Sequence, residues 1–238
     1  MSYNITGTIC GFMCRNMIRR LPMQITIREP GSAITHFVGM LLAVFAAVPL
    51  LIKAGVSSGG RSFAAMTIFI TSMILLYGAS TMYHSVNLAG RGLRIFRKLD
   101  HMMIFVLIAG SYTPVCLIVL SREIGYRLLA IVWGIALVGM LIKACWVTCP
   151  KWFSSIVYIA MGWVCISVIK ALWSTLPRSA FLWLLAGGII YTIGGVIYAL
   201  KLPIFNSKHQ NFGSHEIFHL FVMGGSVCHF IFMYLYVA

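Results

Sequence analysis

Acidic residues are almost missing from this chain: Glu29, Asp100, Glu123 and Glu216 are the whole complement in 238 residues. Charged residues of both signs make up only 9%, whereas an ordinary soluble domain carries about a quarter. With 61% hydrophobic residues, there is more apolar surface than one globular core can hide, which excludes a soluble domain and makes lipid the solvent. Nor is a disulfide framework implied. The seven cysteines are odd in number, and Cys116, Cys145, Cys165 and Cys228 lie within apolar spans, where a thiol behaves as a small hydrophobe. Cys10 with Cys14 and Cys145 with Cys149 have helical spacing but lack further ligands at familiar zinc-binding distances. The first apolar stretch is followed by Arg15, Arg19 and Arg20 with no clear small-residue cleavage site, which argues against a secretory signal peptide.

What the chain does hold is cationic charge, 18 Lys and Arg for a net +14. These residues sit at the ends of apolar segments and form no stripe interleaved with exposed aromatics. They read as topology signals and contacts to anionic headgroups, so no nucleic-acid partner is expected. A spanning helix needs about 20 apolar residues. Seven windows meet that requirement: Ile34–Lys53, Phe63–His84, His101–Leu120, Leu128–Trp146, Phe153–Trp173, Phe181–Lys201 and Glu216–Val237. Turn or charge signals separate them, and no connection is long enough for a second domain. The expected fold is all-α, an integral membrane bundle of seven transmembrane helices over residues 33–238, preceded by a cytoplasmic segment over residues 1–32.

The N-terminal segment and even-numbered loops carry twelve Lys and Arg, and the odd-numbered loops carry six: Lys53, Arg61, Arg122, Arg127, Lys170 and Arg178. The positive-inside rule then predicts a cytoplasmic N-terminus and an outward C-terminus. The second loop, RGLRIFRKLD, is expected to lie on the inner leaflet as a short basic element. Gly187, Gly188, Gly194 and Gly195 allow close approach by helix six, and Pro114 predicts a kink in helix three.

Ionisable groups inside membrane spans are costly, so each calls for a functional account. Helix two ends in Ser80-Thr81-Met82-Tyr83-His84, helix three opens on Leu99-Asp100-His101, and helix seven opens on His215-Glu216-Ile217-Phe218-His219. Four-residue spacing puts Ser80 with His84, and His215 with His219, on shared helix faces. The alternating topology brings all three pieces to the cytoplasmic side. Three imidazoles with an oxygen ligand suit tetrahedral zinc, Zn2+, with water or a carboxylate in the fourth position. Asp100 is expected to bind directly or through a water, and Ser80 to act as a hydrogen-bond partner behind the ligands. The competing reading makes them satisfied polar groups holding helices together. His36 is placed near the same cavity, His101 about 100° around the helix from Asp100, and His229 about 15 Å deeper than His219, too far to share the metal and read as a packing or hydrogen-bonding group. His209 falls in a polar loop, and Glu216 projects away from His215.

These residues lie within stretches that resemble the hemolysin III-type membrane proteins, the bacterial branch of the progestin and adipoQ receptor superfamily. The stretches are Glu29-Pro30 with SAITHFVG, LYGASTMYHS, RKLDHMMIFVLIAGSYTPV, YIAMGW, GGIIYTIGGVIYAL and HEIFHLFVMGGSVCHF. The resemblance runs from about Glu29 to the end and implies a seven-helix fold with the N-terminus inside. It further implies zinc on His84, His215 and His219, with Asp100 interacting directly or through water and Ser80 supporting the site. Relatives in the wider superfamily resemble lipid amide hydrolases, including ceramidases. The leading expectation is therefore a metal-dependent intramembrane acyl-amide hydrolase of the cell membrane, acting on membrane lipids and serving lipid homeostasis. Asp100 and Ser80 would be its catalytic residues. A receptor-like or membrane-fluidity sensor with structural zinc is the alternative. A pore-forming hemolysin ranks below both, because seven apolar spans cannot stay soluble before insertion.

Overall fold

The computed structural model describes residues 27–57, 59–200 and 213–238. Cys10, Cys14, Arg15, Arg19, Arg20, Lys201, Lys208, His209 and most of the stretch from Asn206 lie outside the described residues. Seven helices are long and apolar enough to cross a membrane, and no strand occurs among the described residues. They are α1 (Pro30–Ser57), α2 (Gly59–Ser85), α3 (Gly90–Pro114), α4 (Arg122–Cys145), α5 (Lys151–Thr175), α6 (Arg178–Leu200) and α7 (Ser214–Phe232). Each expected window falls within one of these spans or overlaps it closely.

One expectation is corrected. The RGLRIFRKLD segment is no separate element on the bilayer surface but the first turns of α3, continuous with the span. Leu93 and Phe96, both partly buried, share the helix face that leads on to buried Asp100. The segment thus extends the inward face of α3 by two turns, and Gly90 (φ 64°) supplies the left-handed turn that starts it. At Pro114 the ladder does not simply bend. It passes into a π-helical turn over Val115–Val119, because proline has no N–H to give to the preceding turn. The widened turn aims the Cys116 carbonyl at Gly125 of α4, where any side chain would collide with it.

The α5 span is interrupted midway. An α-helical half, Lys151–Gly162, gives way to a 3₁₀ turn over Trp163–Val168 before Ile169–Thr175 resumes. Backbone groups released inside a bilayer must find partners within the protein. Tyr112 of α3 provides one: its hydroxyl donates to the Gly162 carbonyl at 2.6 Å and accepts from the Cys165 N–H at 2.9 Å.

The helices pack in sequence order from α1 to α4, α5 leans on α3 and α6, and α7 lies between α6 and α1. Gly187 and Gly194 of α6 are buried against His229 and Phe221 of α7, and Gly195 against Ile159 of α5. Gly188 is the exception among the four, since a Cβ placed there would meet only the rim of Trp163, at 3.9 Å. Between α2, α6 and α7, Tyr77 and Tyr191 both reach Ser226 Oγ, at 2.7 and 2.8 Å. Because α7 returns to α1, the ends of α2 and the starts of α1, α3 and α7 come together.

Candidate metal centre

His84 ends α2, and His215 and His219 begin α7, one helical turn apart. Each offers a ring nitrogen, and the three atoms lie within 4.8 Å of one another, close enough to hold a metal ion. His84 and His219 are 1% and 2% exposed, so bulk water does not compete for them. The Nε2 atoms of His84 and His215 face each other at 3.2 Å. Two nitrogens each about 2.0–2.1 Å from a tetrahedral ion stand about 3.3 Å apart, so the pair is already at the spacing of co-ligands.

The other ring nitrogens show how the imidazoles are oriented. His84 Nδ1 is hydrogen-bonded to Glu29 Oε2. A carboxylate can only accept, so the proton is on Nδ1 and the Nε2 lone pair points inward. Glu29 is further fixed by its backbone N–H, which donates to the His84 carbonyl at 3.0 Å. The hydrogen bond from His84, together with the charges around it, outweighs partial burial and holds the Glu29 carboxyl down at about 2. His219 Nδ1 lies 3.1 Å from Thr35 Oγ1, whose own proton goes to the carbonyls of Gly31 and Ser32. His219 is therefore the donor there, and its Nε2 is also left free. His36 stacks on His219 with ring centroids 3.5 Å apart, and neither of its buried nitrogens has a hydrogen-bond partner among the described residues.

Asp100 stands outside the three-histidine group. It is buried in the wall of the same cavity, with Oδ2 3.8 Å from His101 Nδ1. Ser80 is 1% exposed, and its Oγ has no hydrogen-bond partner among the described residues. His101 turns its Nδ1 to the Arg97 carbonyl at 2.7 Å. Glu216 caps α7 by accepting the Gly213 N–H at 2.8 Å, and it accepts the Ser32 hydroxyl at 2.5 Å. Sequence reasoning missed Glu29 and Thr35 as orienting groups. Both sit in a stretch singled out by resemblance, but only the return of α7 to α1 shows what they touch.

The cavity is about 580 Å³ and reaches from His84, Asp100 and His215 past Leu107 and Ile108 to His229. His229 lies against Tyr191, ring centroids 5.3 Å apart, and against Gly187.

The sequence profile described as "Haemolysin-III related" matches residues 24–230. The chain belongs to this family. Hemolysin-3 of Bacillus cereus is 38% identical over 214 residues, covering 90% of this chain and 94% of that protein. The Hemolysin-3 homolog of Bacillus subtilis (strain 168) is 39% identical over 212 residues, 89% of this chain and 95% of that one. More distant is the Adiponectin receptor protein of Drosophila melanogaster, 24% identical over 217 residues, or 85% of this chain and 49% of that receptor. The haemolysin-III match takes in α1 to α6 and most of α7, hence all three histidines with Glu29, Thr35, Ser80 and Asp100.

Proposed function

We propose that this haemolysin-III-related protein is a zinc-dependent intramembrane hydrolase of acyl-amide lipids in the cell membrane, with its N-terminus cytoplasmic, and that it serves membrane lipid homeostasis. The observation that carries the reading is the convergence of three oriented imidazoles on one end of a cavity walled mainly by apolar side chains. A bound zinc ion supplies Lewis-acid activation of water and of a carbonyl. His84, His215 and His219 would hold it, each with Nε2 turned inward. Asp100, set back from the imidazoles, would take the proton of the attacking water, and Ser80 would stabilise the oxyanion with a hydrogen bond from its unshared hydroxyl. The leucine and isoleucine walls would seat the acyl chain. The amide preference rests on likeness to ceramidase-type relatives and is an analogy of fold.

The first test is the metal content of detergent-purified protein, wild type beside His84→Ala and His215→Ala. About one zinc per chain, lost in both variants, is expected for a site shared by α2 and α7. Metal-free wild type, carefully prepared, would sink the mechanism. Asp100→Asn should keep the zinc and lose acyl-amide cleavage by at least about 100-fold.

The second reading is a receptor-like or fluidity-sensing regulator with structural zinc. It is favoured by the way Glu29 and Thr35 tie α1 to the same imidazoles, as a brace between three helices would require. Zinc retained with no turnover of any acyl lipid would select it. A pore-forming hemolysin, suggested by the relatives' names, ranks third, since seven apolar spans have no soluble form to insert from.

A further inference from the structure

A second reactive cluster lies outside the histidine group, where α4 turns into α5. Lys143 is 3% exposed. Its Nζ donates to Cys149 Sγ at 2.9 Å and to Ser154 Oγ at 2.6 Å, and Sγ and Oγ are 3.2 Å apart. Cys149 and Ser154 are themselves 6% and 4% exposed. An ammonium is a donor of three hydrogen bonds and accepts none, and a buried cation is costly unless an anion compensates it. The chain has only four acidic side chains. Among the described residues Glu29 is paired with Arg28 and hydrogen-bonded to His84, Glu123 is paired with Arg127, Asp100 lies 3.8 Å from His101 Nδ1, and Glu216 caps α7. None of them forms an ion pair with Lys143. The group in contact with Lys143 that can become an anion is the Cys149 thiol.

The neighbourhood favours that anion. Burial alone would push the Cys149 thiol up, but the hydrogen bonds from Lys143 and Ser154, with the charges of Lys143 and of Arg97 on α3, bring it below its ordinary value. The other titratable neighbours are Tyr158 of α5, whose ring lies 5.9 Å from Lys143 Nζ, His101 of α3 and Tyr198 of α6. Thiolate character in an electropositive setting distinguishes a reactive cysteine from an inert buried one. Four residues earlier stands Cys145, which is exposed and is the natural internal comparison.

We propose that Cys149 is an oxidant-reactive modification site, its thiolate attacking small hydroperoxides while Lys143 protonates the leaving oxygen. Sγ attacks one peroxide oxygen, an S–O bond forms and the O–O bond breaks. Sulfur gives up two electrons and the peroxide is reduced. The departing oxygen takes a proton from the Lys143 ammonium and leaves as water or an alcohol. The products are cysteine sulfenic acid and a neutral Lys143 amine, so atoms, protons and charge balance. A thiol can return the sulfenic acid to cysteine through a mixed disulfide, which makes the modification reversible. The slight exposure of the site selects small oxidants such as hydrogen peroxide.

The test uses the full-length protein in detergent, treated with limiting hydrogen peroxide and a dimedone trap, with each cysteine mapped by mass spectrometry. Cys149 should be labelled about tenfold faster than the more exposed Cys145. Lys143→Met should slow Cys149 about tenfold and move the pH profile of its alkylation upward, whereas Lys143→Arg should keep most of the rate. Equal or slower labelling of Cys149 than Cys145 in the wild-type protein overturns the proposal without recourse to any variant. An unchanged Cys149 rate and pH profile in a folded Lys143→Met protein overturns the role of the lysine.

Discussion

Each imidazole of the candidate metal centre has two nitrogens with separate tasks, and for His84 and His219 a residue behind the ring decides which nitrogen does which. Glu29 accepts the hydrogen bond from Nδ1 of His84, and Thr35 stands against Nδ1 of His219. His215 has no such partner for Nδ1 among the described residues, so its orientation rests on packing against Tyr198, His84 and His219. Groups behind a metal ligand commonly contribute about 10–100-fold in affinity. Glu29→Ala should therefore weaken zinc retention by at least about tenfold in competition with a chelator, and Thr35→Val by less, while both proteins keep the wild-type helical content. Zinc affinity that is unchanged in Glu29→Ala would count against the assigned tautomer. Ser80 differs from these two: nothing among the described residues holds its hydroxyl, which suits a group waiting for a substrate atom. Ser80→Ala should leave zinc content unaltered and lower turnover alone.

At the scale of the helices, two irregularities locate the cavity walls. The π-helical turn after Pro114 and the 3₁₀ turn in α5 lie on facing spans, and Tyr112 bridges them through Gly162 and Cys165. Removing the hydroxyl leaves a carbonyl and an N–H without their partner inside the bundle, at a cost of about 1–3 kcal/mol. Tyr112→Phe should consequently lower the thermal unfolding midpoint in detergent, and a midpoint equal to wild type would show that other groups satisfy the break. The α6–α7 seam is tighter still. A Cβ at Gly194 would meet Phe221 Cβ at 2.6 Å, and overfilling a packed core costs about 1–3 kcal/mol. Gly194→Val should thus destabilise more than Gly188→Val, whose site has room. The glycines are legible in the sequence, but their inequality is not. It depends on how α6 is rotated between α5 and α7.

For the molecule as a whole, the histidines join the end of α2 to the start of α7, so bound zinc would tie together parts of the chain separated by more than half its length. A ligand bound only by the folded state raises stability by mass action. Chelation should therefore lower the unfolding midpoint of the wild type and have no effect on His84→Ala. Orientation has its own test. The charge count predicts a cytoplasmic N-terminus and a cytoplasmic α4–α5 turn, so a membrane-impermeant maleimide should reach Cys145 in inverted vesicles and not in intact cells. Labelling from the outer face would reverse the topology. The sequence alone determined the seven spans, because about 20 apolar residues with hardly an acid among them can satisfy their backbone in lipid only as helices. It also singled out His84, His215 and His219, since ionisable residues at such depth are rare. Tertiary structure decided the rest: that Asp100 stands back from the three imidazoles, that Glu29 and Thr35 orient them, and that Lys143 lies on Cys149. Those facts depend on which helix faces meet, and a hydropathy pattern carries the length of a helix but not its rotation about its own axis.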